Sequence, residues 1–329
     1  MNQTASLEDP CCQPTAALRD PACRRFVSGG VWHAMQWSPE RRQPVLIIYR
    51  LEGPAGAPVV ATFGGISADR KVNEWWQEQY GSDRALDPDR YRILSMDWLG
   101  RCWPDGSPVT TEQQARALVA VMDELGIGRI EACIGASYGA MVGLALAARH
   151  PDRIGRLVAI SGAHRAHPMA TAKRLIQREI IRLGVDAGDE QRGLALARAL
   201  ALTTYRPGTL FAERFDHDCP QRVLDRLDSY FDRQGRRLIG RFDAERYLCL
   251  SESLDLHDVD PAAVTCPVHL VAVSSDELVP VDQLQALDHA LPNSSLRVIH
   301  SDFGHDAFLK EPAFFNSLIR SVLAAGDLQ

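Results

Sequence analysis

The sequence predicts an α/β protein with a mostly parallel central sheet into which a helical segment is inserted. In the first half of the chain, short apolar runs alternate with segments of helical periodicity, as in successive βαβ units. The alternation stops at about residue 164, and as far as residue 254 the chain is arginine-rich and helical in pattern. Apolar runs resume at Val268. We therefore expect a sheet domain at 24–163 and 255–329, with a helical lid at 164–254 inserted after the sixth strand.

The individual elements follow from local patterns. The clearest strand signals are apolar runs bounded by turn-forming residues, and in chain order they lie at 45–51, 57–63, 91–96, 130–134, 154–160, 268–273 and 296–299. A helix is predicted to begin at Thr110 or Thr111, because a glutamine follows each threonine three residues later, and to end at Gly126. Further helices are predicted at 140–149 and from Ala307 toward Leu323.

A Gly-Ala-Ser-Tyr-Gly motif at residues 135–139 is the strongest functional signal in the sequence. It follows a predicted strand and precedes a helix rich in small residues. In that context a G-x-S-x-G motif forms a sharp turn that exposes the serine at the edge of a parallel sheet, as in the nucleophile elbow of α/β-hydrolases. Ser137 is therefore the candidate nucleophile. The alternative is an ordinary tight turn between a strand and a helix.

A nucleophilic serine needs a base, and the base needs an acid that orients it. In α/β-hydrolases these groups follow in the chain order Ser, Asp or Glu, His. Asp276 and Glu277 come just after a predicted strand, and we favour Asp276 over Glu277 as the acid. His305 follows the next predicted strand and is the candidate base, so both groups are expected at the same sheet edge as Ser137.

A pair of glycines at 64–65 ends the predicted strand at 57–63. Glycines let the backbone approach a ligand closely, and an N–H group there can stabilise an oxyanion. The second donor in this fold is the amide of the residue after the nucleophile, here Tyr138. Ile66 and Tyr138 are the predicted oxyanion hole, the alternative being a plain Gly-Gly turn.

Composition limits the other classes of function. The formal net charge of −6 argues against a general nucleic-acid or anionic-membrane binder. No apolar run approaches the length of a membrane span. Residues 1–23 are polar and rich in proline, which predicts a flexible N-terminal arm. The eight cysteines form no C-x-x-C pair, so we expect reduced thiols, a cytoplasmic location and neither a disulfide framework nor a metal site.

Beyond the fold, the chain from about residue 26 to 323 resembles the homoserine O-acyltransferases of the α/β-hydrolase type, the MetX-like family. The matching segments are Gly-Gly at 29–30, Gly-Gly-Ile-Ser-Ala-Asp at 64–69, Trp-Trp at 75–76, Gln-Arg-Glu at 177–179, Thr-Tyr-Arg at 204–206, Ser-Tyr-Phe at 229–231, Gln-Gly at 234–235, Arg-Phe-Asp-Ala at 241–244, Tyr-Leu at 247–248 and Gly-His-Asp-Ala-Phe-Leu at 304–309. The lid and C-terminal segments are the specific ones, because generic esterases do not share them.

The resemblance implies a reaction and a role for each site residue. Ser137 would accept an acyl group from acyl-CoA and pass it to the hydroxyl of L-homoserine, a step of methionine biosynthesis, with no bound cofactor. Arg206 would hold the carboxylate of the amino acid and Asp306 its ammonium group, which are chemically matched partners. Small-molecule substrates and a homodimer formed through the lid are the expected partners.

Three questions stay open at the level of the sequence. The acyl donor is either succinyl-CoA or acetyl-CoA. The acceptor is homoserine or, in a related enzyme, serine. A serine esterase or thioesterase would use the same predicted triad, and acceptor-independent release of free acid would identify it.

Overall fold

The computed structural model describes residues 26–324, which fold around one eight-stranded sheet. The predicted arm at 1–23 lies outside the described residues. In chain order the strands are β1 Phe26–Ser38, β2 Arg41–Glu52, β3 Val59–Phe63, β4 Arg92–Met96, β5 Ile130–Ala136, β6 Ile154–Ile160, β7 Val268–Val273 and β8 Ser294–Ile299.

The sheet is mostly parallel, as the sequence predicts. Its strand order is β1-β2-β4-β3-β5-β6-β7-β8. β1 and β2 form an antiparallel pair, and β2 is also antiparallel to β4, whereas every pairing from β4 across to β8 is parallel. The carboxyl ends of the six parallel strands therefore share one edge of the sheet, where open α/β sheets carry their chemistry.

The helices fill the connections between strands. They are α1 Val72–Trp75, α2 Thr111–Glu124, α3 Tyr138–Arg149, α4 Pro168–Asp186, α5 Glu190–Tyr205, α6 Gly208–Phe215, α7 Pro220–Ile239, α8 Ala244–Asp255, α9 Val281–Ala290, α10 Ala307–Lys310 and α11 Pro312–Ala324. Helices α4 to α8 follow one another without an intervening strand, between β6 and β7. This segment is the helical lid that the sequence predicts after the sixth strand.

The core occupies both faces of the sheet. On one face α2 and α3 bury apolar side chains together with β5 and β6, and Cys133 belongs to this cluster. On the other face α11 packs Phe315 and Ile319 against strand residues such as Val60 and Ile134. Strands that are buried on both faces explain why the sequence shows continuous apolar runs there rather than alternation.

The start of α2 shows which of the two threonines acts as the cap. Thr110 is the N-cap, and its side chain accepts a hydrogen bond from the Gln113 amide while the Gln113 side chain accepts one from the Thr110 amide. The helix ends at Glu124, and Gly126 has a φ of +65°, a conformation that glycine adopts without steric cost. The capping box and the glycine stop lie where the sequence predicts them.

The structure differs from the prediction at both ends of the described residues. β1 was not among the predicted strands, because its buried residues Val31 and Met35 are separated by the exposed Trp32 and follow a Gly-Gly pair, so its apolar pattern is weak. The final helix is divided into α10 and α11 at Glu311, which has a φ of −112° and a ψ of 62°. Pro312 causes the break, since proline disfavours the helical conformation in the residue before it.

No helix among residues 26–324 combines the length and the apolar character needed to cross a membrane. Within the same residues, no group of three or more histidine, cysteine, aspartate or glutamate side chains is arranged to hold a metal ion.

Candidate active site

Ser137 occupies a strained turn between β5 and α3. Its φ is 55° and its ψ is −117°, a region that residues with a side chain rarely adopt. Close packing enforces the turn: a Cβ atom at Gly139 would lie 2.6 Å from the carbonyl oxygen of Phe63. The Gly139 amide also donates a hydrogen bond to the carbonyl oxygen of Gly64. The motif thus has the geometry that the sequence predicts for a nucleophile elbow.

The three predicted triad residues lie in hydrogen-bond contact. His305 Nε2 is 2.8 Å from Ser137 Oγ, and His305 Nδ1 is 2.7 Å from Asp276 Oδ2. The side chain of Asp276 is fully shielded from solvent and that of His305 is 9% exposed. With Nδ1–H donating to the carboxylate, Nε2 is left to accept the proton of the serine hydroxyl.

The carboxylate of Asp276 is held by its own loop as well as by the histidine. Its Oδ1 atom accepts hydrogen bonds from the amides of Leu278 and Val279, at 2.8 and 3.1 Å. The neighbouring Glu277 instead carries an exposed side chain that pairs with Lys173 at 3.6 Å. Of the two acids that the sequence offers, only Asp276 contacts His305.

The environment of His305 raises its pKa above the ordinary value of 6.5. Burial acts in the opposite direction and would lower the pKa, but the charge of Asp276 and its hydrogen bond outweigh burial, with a further contribution from Asp306. Arg174 opposes them slightly. Imidazolium is therefore stabilised in this site, as is required of a base that must take up a proton during the reaction.

The loop after β3 borders the same site. The carbonyl oxygen of Gly65 accepts hydrogen bonds from the Trp98 indole N–H and from the Ala68 amide, each at 3.0 Å, and these contacts fix the loop. Among the turn, loop and cap hydrogen bonds of residues 26–324, none uses the backbone N–H of Ile66 or Tyr138 as donor. Neither amide is therefore engaged by a turn, loop or cap acceptor of the described residues.

The side chain of Tyr138 takes no part in lining the site. It is completely buried, its ring meets Trp98 edge to face at 4.9 Å between centroids, and its hydroxyl is 2.7 Å from Ser253 Oγ in α8. Only the backbone of Tyr138 can contact a reacting group. Its side chain joins the elbow to the last helix of the lid.

A cavity of about 520 Å³ lies between the sheet edge and the lid. Ser137 and His305 line it from the sheet side, together with Ile66. The lid contributes polar and charged side chains, among them Arg174 and Arg206. This volume is in the range of small-molecule sites.

Arg206 and Asp306 line the cavity and form an ion pair with each other. Arg206 Nε is 2.9 Å from Asp306 Oδ2, and its Nη1 donates to the hydroxyl of Tyr230 at 3.3 Å. Their side chains are 19% and 16% exposed. The resemblance gives each residue a separate partner on the substrate, and the structure adds that they contact each other, which sequence reasoning did not foresee.

Tyr205 is a site residue that sequence reasoning did not assign. Its ring lies 6.0 Å from that of His305, so the last residue of α5 packs beside the candidate base. Gly304 permits this approach, since it has a φ of +57° and a Cβ atom there would be 2.6 Å from the Tyr205 carbonyl oxygen. The signal in the sequence is the Thr-Tyr-Arg segment at 204–206, which carries the family resemblance but from which only Arg206 was given a role.

Comparison with known proteins first defines the class. The family described as the alpha/beta hydrolase fold matches residues 59–312. Among solved structures, homoserine O-acetyltransferase from Bacillus anthracis superposes with a TM-score of 0.81 at 17% identity, covering 91% of this chain and 98% of that one. The protein is thus an α/β hydrolase in fold.

Sequence relatives narrow the class to a family. Homoserine O-succinyltransferase from Xanthomonas campestris pv. campestris is 44% identical over 288 residues, which cover 84% of this chain and 78% of the relative. Homoserine O-acetyltransferase from Leifsonia xyli subsp. xyli is 32% identical, covering 88% of this chain and 82% of the relative. The chain therefore belongs to the MetX-like homoserine O-acyltransferase family, which confirms the resemblance noted in the sequence.

Proposed function

We propose that the protein is an L-homoserine O-acyltransferase that uses acyl-CoA and works through an acyl-serine intermediate. The observation that carries the proposal is the hydrogen-bonded chain Ser137–His305–Asp276, which opens into a cavity that also contains the Arg206–Asp306 pair. The Ser137–His305–Asp276 chain is suited to acyl transfer, and the Arg206–Asp306 pair is suited to binding an amino-acid acceptor.

In the first half-reaction, Ser137 Oγ attacks the thioester carbonyl as its proton passes to His305 Nε2. The Oγ–carbon bond forms, the carbon–sulfur bond breaks, and the proton goes on to the CoA sulfur. The amides of Ile66 and Tyr138 stabilise the negative charge on the carbonyl oxygen, a contribution whose removal typically slows turnover by about 10²–10³-fold.

In the second half-reaction, the hydroxyl of homoserine replaces CoA. His305 takes the hydroxyl proton, the new ester oxygen–carbon bond forms, and the bond to Ser137 breaks as Oγ regains a proton. Water competes for the same acyl-serine, so efficient transfer requires an acceptor that is held in position. The lid supplies the shelter and Arg206, and Asp306 faces Arg206 from the loop after β8.

The Arg206–Asp306 pair suits the two charges of a free amino acid. Arg206 uses Nε for Asp306 and one N–H of Nη1 for Tyr230, which leaves Nη2 and the second N–H of Nη1 for a carboxylate. Asp306 can accept a hydrogen bond from an ammonium group while it orients Arg206. The pair carries one positive and one negative charge, as the amino acid does, so binding brings together opposite charges and leaves no net charge in the site.

The reaction is tested by an assay of thiol release with two donors and two acceptors. Purified protein is mixed with succinyl-CoA or acetyl-CoA, each with homoserine or serine, and release of CoA is followed. We expect release that depends on homoserine, with the O-acyl amino acid as product. Release of free acid at the same rate with and without an amino acid would instead identify a thioesterase.

Arg206→Lys is expected to weaken acceptor binding and spare acylation. An ammonium group cannot reproduce a bidentate guanidinium–carboxylate contact, so kcat/KM for homoserine should fall about 10- to 150-fold, the effect of losing a charged hydrogen bond. Stopped-flow measurement of CoA release in a single turnover without acceptor should give nearly the wild-type rate.

Arg241→Lys is the matched control for this variant. Arg241 also lines the cavity and also pairs with a carboxylate, Asp69 at 3.1 Å, but it is about half exposed. It should leave the acceptor KM close to that of the wild type. Slower acylation with an unchanged acceptor KM in Arg206→Lys would place Arg206 at the donor and contradict its proposed role.

We further propose that two copies associate through the lid. Met169, Ile176 and Leu183 are 56%, 56% and 67% exposed and lie seven residues apart, so they form one apolar stripe along α4. A stripe of this kind is typical of a helix that packs on a partner. Sedimentation equilibrium measures the association, and a monomer at all concentrations would exclude it.

We place the enzyme in the cytoplasm. Cysteines 102, 133, 219, 249 and 266 are free thiols in the described chain, which suits a reducing compartment. Burial raises the pKa of the Cys133 thiol to about 12, so this side chain acts as an unreactive apolar group. Cell fractionation tests the location, and recovery in a secreted fraction would contradict it.

A further inference from the structure

The lid side of the catalytic cavity carries more positive than negative charge. Four guanidinium groups lie on α4 and α5 or at their ends, those of Arg174, Arg178, Arg198 and Arg206. Within residues 26–324 their only carboxylate partners are Asp255 and Asp306. The four guanidinium groups therefore carry two more charges than these two carboxylates balance, close to the site of acyl transfer.

Asp255 is shared by two arginines. Arg174 Nε is 2.7 Å from its Oδ1 atom and Arg178 Nη1 is 2.6 Å from its Oδ2 atom, while the hydroxyl of Thr171 donates to Oδ1 at 2.8 Å. The carboxylate is 6% exposed. Asp255 accepts from these three side chains, and its single charge balances only one of the two guanidinium charges.

Arg174 lines the cavity and shares its carboxylate partner with a second arginine. It lines the cavity together with Ala170 and Gln177, which lie on the same face of α4. Its Nη2 atom is buried without a hydrogen bond, although it lies 2.6 Å from Asp255 Oδ1. No hydrogen bond of Nη1 occurs within the described part of the chain. Arg174 thus contacts a carboxylate that it shares with Arg178 and keeps Nη1 for a second anion.

The other arginines of the cluster have partners of their own. Arg178 also donates to Ser251, and Arg206 is paired with Asp306. Arg198 lies 5.6 Å from the centre of the Tyr205 ring, which gives it a cation–π contact. Arg174 and Arg198 are therefore the two cavity-lining arginines of the cluster whose charges the described carboxylates do not fully balance, and of the two it is the charge of Arg174 that acts on the pKa of His305.

The two candidate donors differ in the charge that their acyl groups would bring to the arginines of the cavity. An acetyl group is neutral and has no negative charge that could balance the guanidinium of an arginine. A succinyl group ends in a free carboxylate, three bonds beyond the thioester carbon. The phosphates of CoA lie at the far end of the pantetheine arm and are too distant to serve while the thioester is at Ser137.

We propose that Arg174 binds the free carboxylate of a dicarboxylic acyl group, so that succinyl-CoA is the donor. The inference rests on the proposed acyltransferase function and adds the identity of the acyl group. Proximity to the acyl site is supported by the effect of Arg174 on the catalytic base, whose pKa the Arg174 charge lowers. A bidentate guanidinium–carboxylate contact would fix the acyl chain and select against shorter neutral donors.

The test compares the two donors in Arg174→Met. We expect the wild type to prefer succinyl-CoA, and the variant to lose about 10- to 150-fold in kcat/KM for succinyl-CoA, the effect of removing a charged hydrogen bond. The value for acetyl-CoA should be nearly unchanged, so the preference shrinks by the same factor. Arg178 and Thr171 still hold Asp255, and thermal unfolding checks that the variant is folded.

Two further variants separate a specific contact from a general effect of charge. Arg174→Lys keeps the positive charge and should retain part of the preference for succinyl-CoA. Lys173→Gln removes a cation that also lines the cavity but is paired with Glu277, and it should not change the preference between donors.

The outcomes distinguish this inference from the function on which it rests. Equal losses for both donors in Arg174→Met, or a wild type that transfers acetyl and rejects succinyl, would overturn the inference and leave the acyltransferase proposal standing. Failure of the wild type to release CoA from either donor in the presence of homoserine would overturn both.

Discussion

Ser137→Ala is expected to abolish acyl transfer, with a fall in kcat on the order of 10⁶-fold, as when the nucleophile of a serine enzyme is removed. The variant should fold normally, because the only described hydrogen bond of the hydroxyl is the one to His305. Intact-mass analysis checks the mechanism. Wild-type protein incubated with succinyl-CoA or acetyl-CoA and no acceptor should gain one acyl group, on a peptide containing Ser137, and the variant should gain none.

Ser161 provides a matched control for that experiment. It follows β6 as Ser137 follows β5, has a φ of +47°, is buried and lines the same cavity, but it does not contact His305. Ser161→Ala should therefore still be acylated and turn over. Acylation of Ser137→Ala, or wild-type rates in that variant, would exclude the covalent route.

Asp276→Asn should reduce turnover by a factor on the order of 10⁴, the loss seen when the histidine of a triad is held in the wrong tautomer. Asparagine has the size of aspartate, but its amide nitrogen cannot accept the Nδ1 proton. Steady-state kinetics with homoserine measure the effect. Glu277→Gln is the control, since Glu277 is exposed and pairs with Lys173, and a larger loss in this variant would reverse the assignment of the acid.

The same variant should move the pH profile. His305 must be neutral to act as the base, so kcat/KM rises with pH through the pKa of His305, and the raised pKa places the midpoint of this limb above pH 6.5 in the wild type. Removing the charge of Asp276 removes the main cause of the increase. The residual activity of Asp276→Asn should therefore rise at a lower pH than that of the wild type.

Short sequence patterns were enough to predict the elements whose conformation is determined by neighbouring residues. Three of them are the elbow at 135–139, the capping box at Thr110 and the buried strand Val268–Val273. Each depends on backbone sterics or on burial, and these select particular residue types at particular positions in the sequence. The chain order of Ser137, Asp276 and His305 was sufficient to select three residues that the structure brings into contact. Their contact needs only that parallel strands end at one edge.

The features that sequence reasoning missed depend on long-range contacts. β1 is stabilised by its register with β2, which is visible only once the two strands are paired. The Arg206–Asp306 pair joins residues a hundred positions apart, and the excess charge at Arg174 becomes evident only when α4 and α8 meet at Asp255. The break at Pro312 is a different case, because proline was visible in the sequence and its effect on Glu311 was not taken into account.

Because the lid helices Pro168–Asp186 to Ala244–Asp255 leave the sheet once and return once, most of the recognition groups are encoded in a single uninterrupted stretch of the gene. Apart from Asp306, the charged side chains that we propose to choose the substrate come from this stretch, whereas the proposed triad lies outside it. Substitutions within this stretch can therefore change substrate recognition without altering the residues of the sheet domain. A lineage could exchange one acyl donor for another through a few substitutions on α4 while the serine chemistry is inherited unchanged.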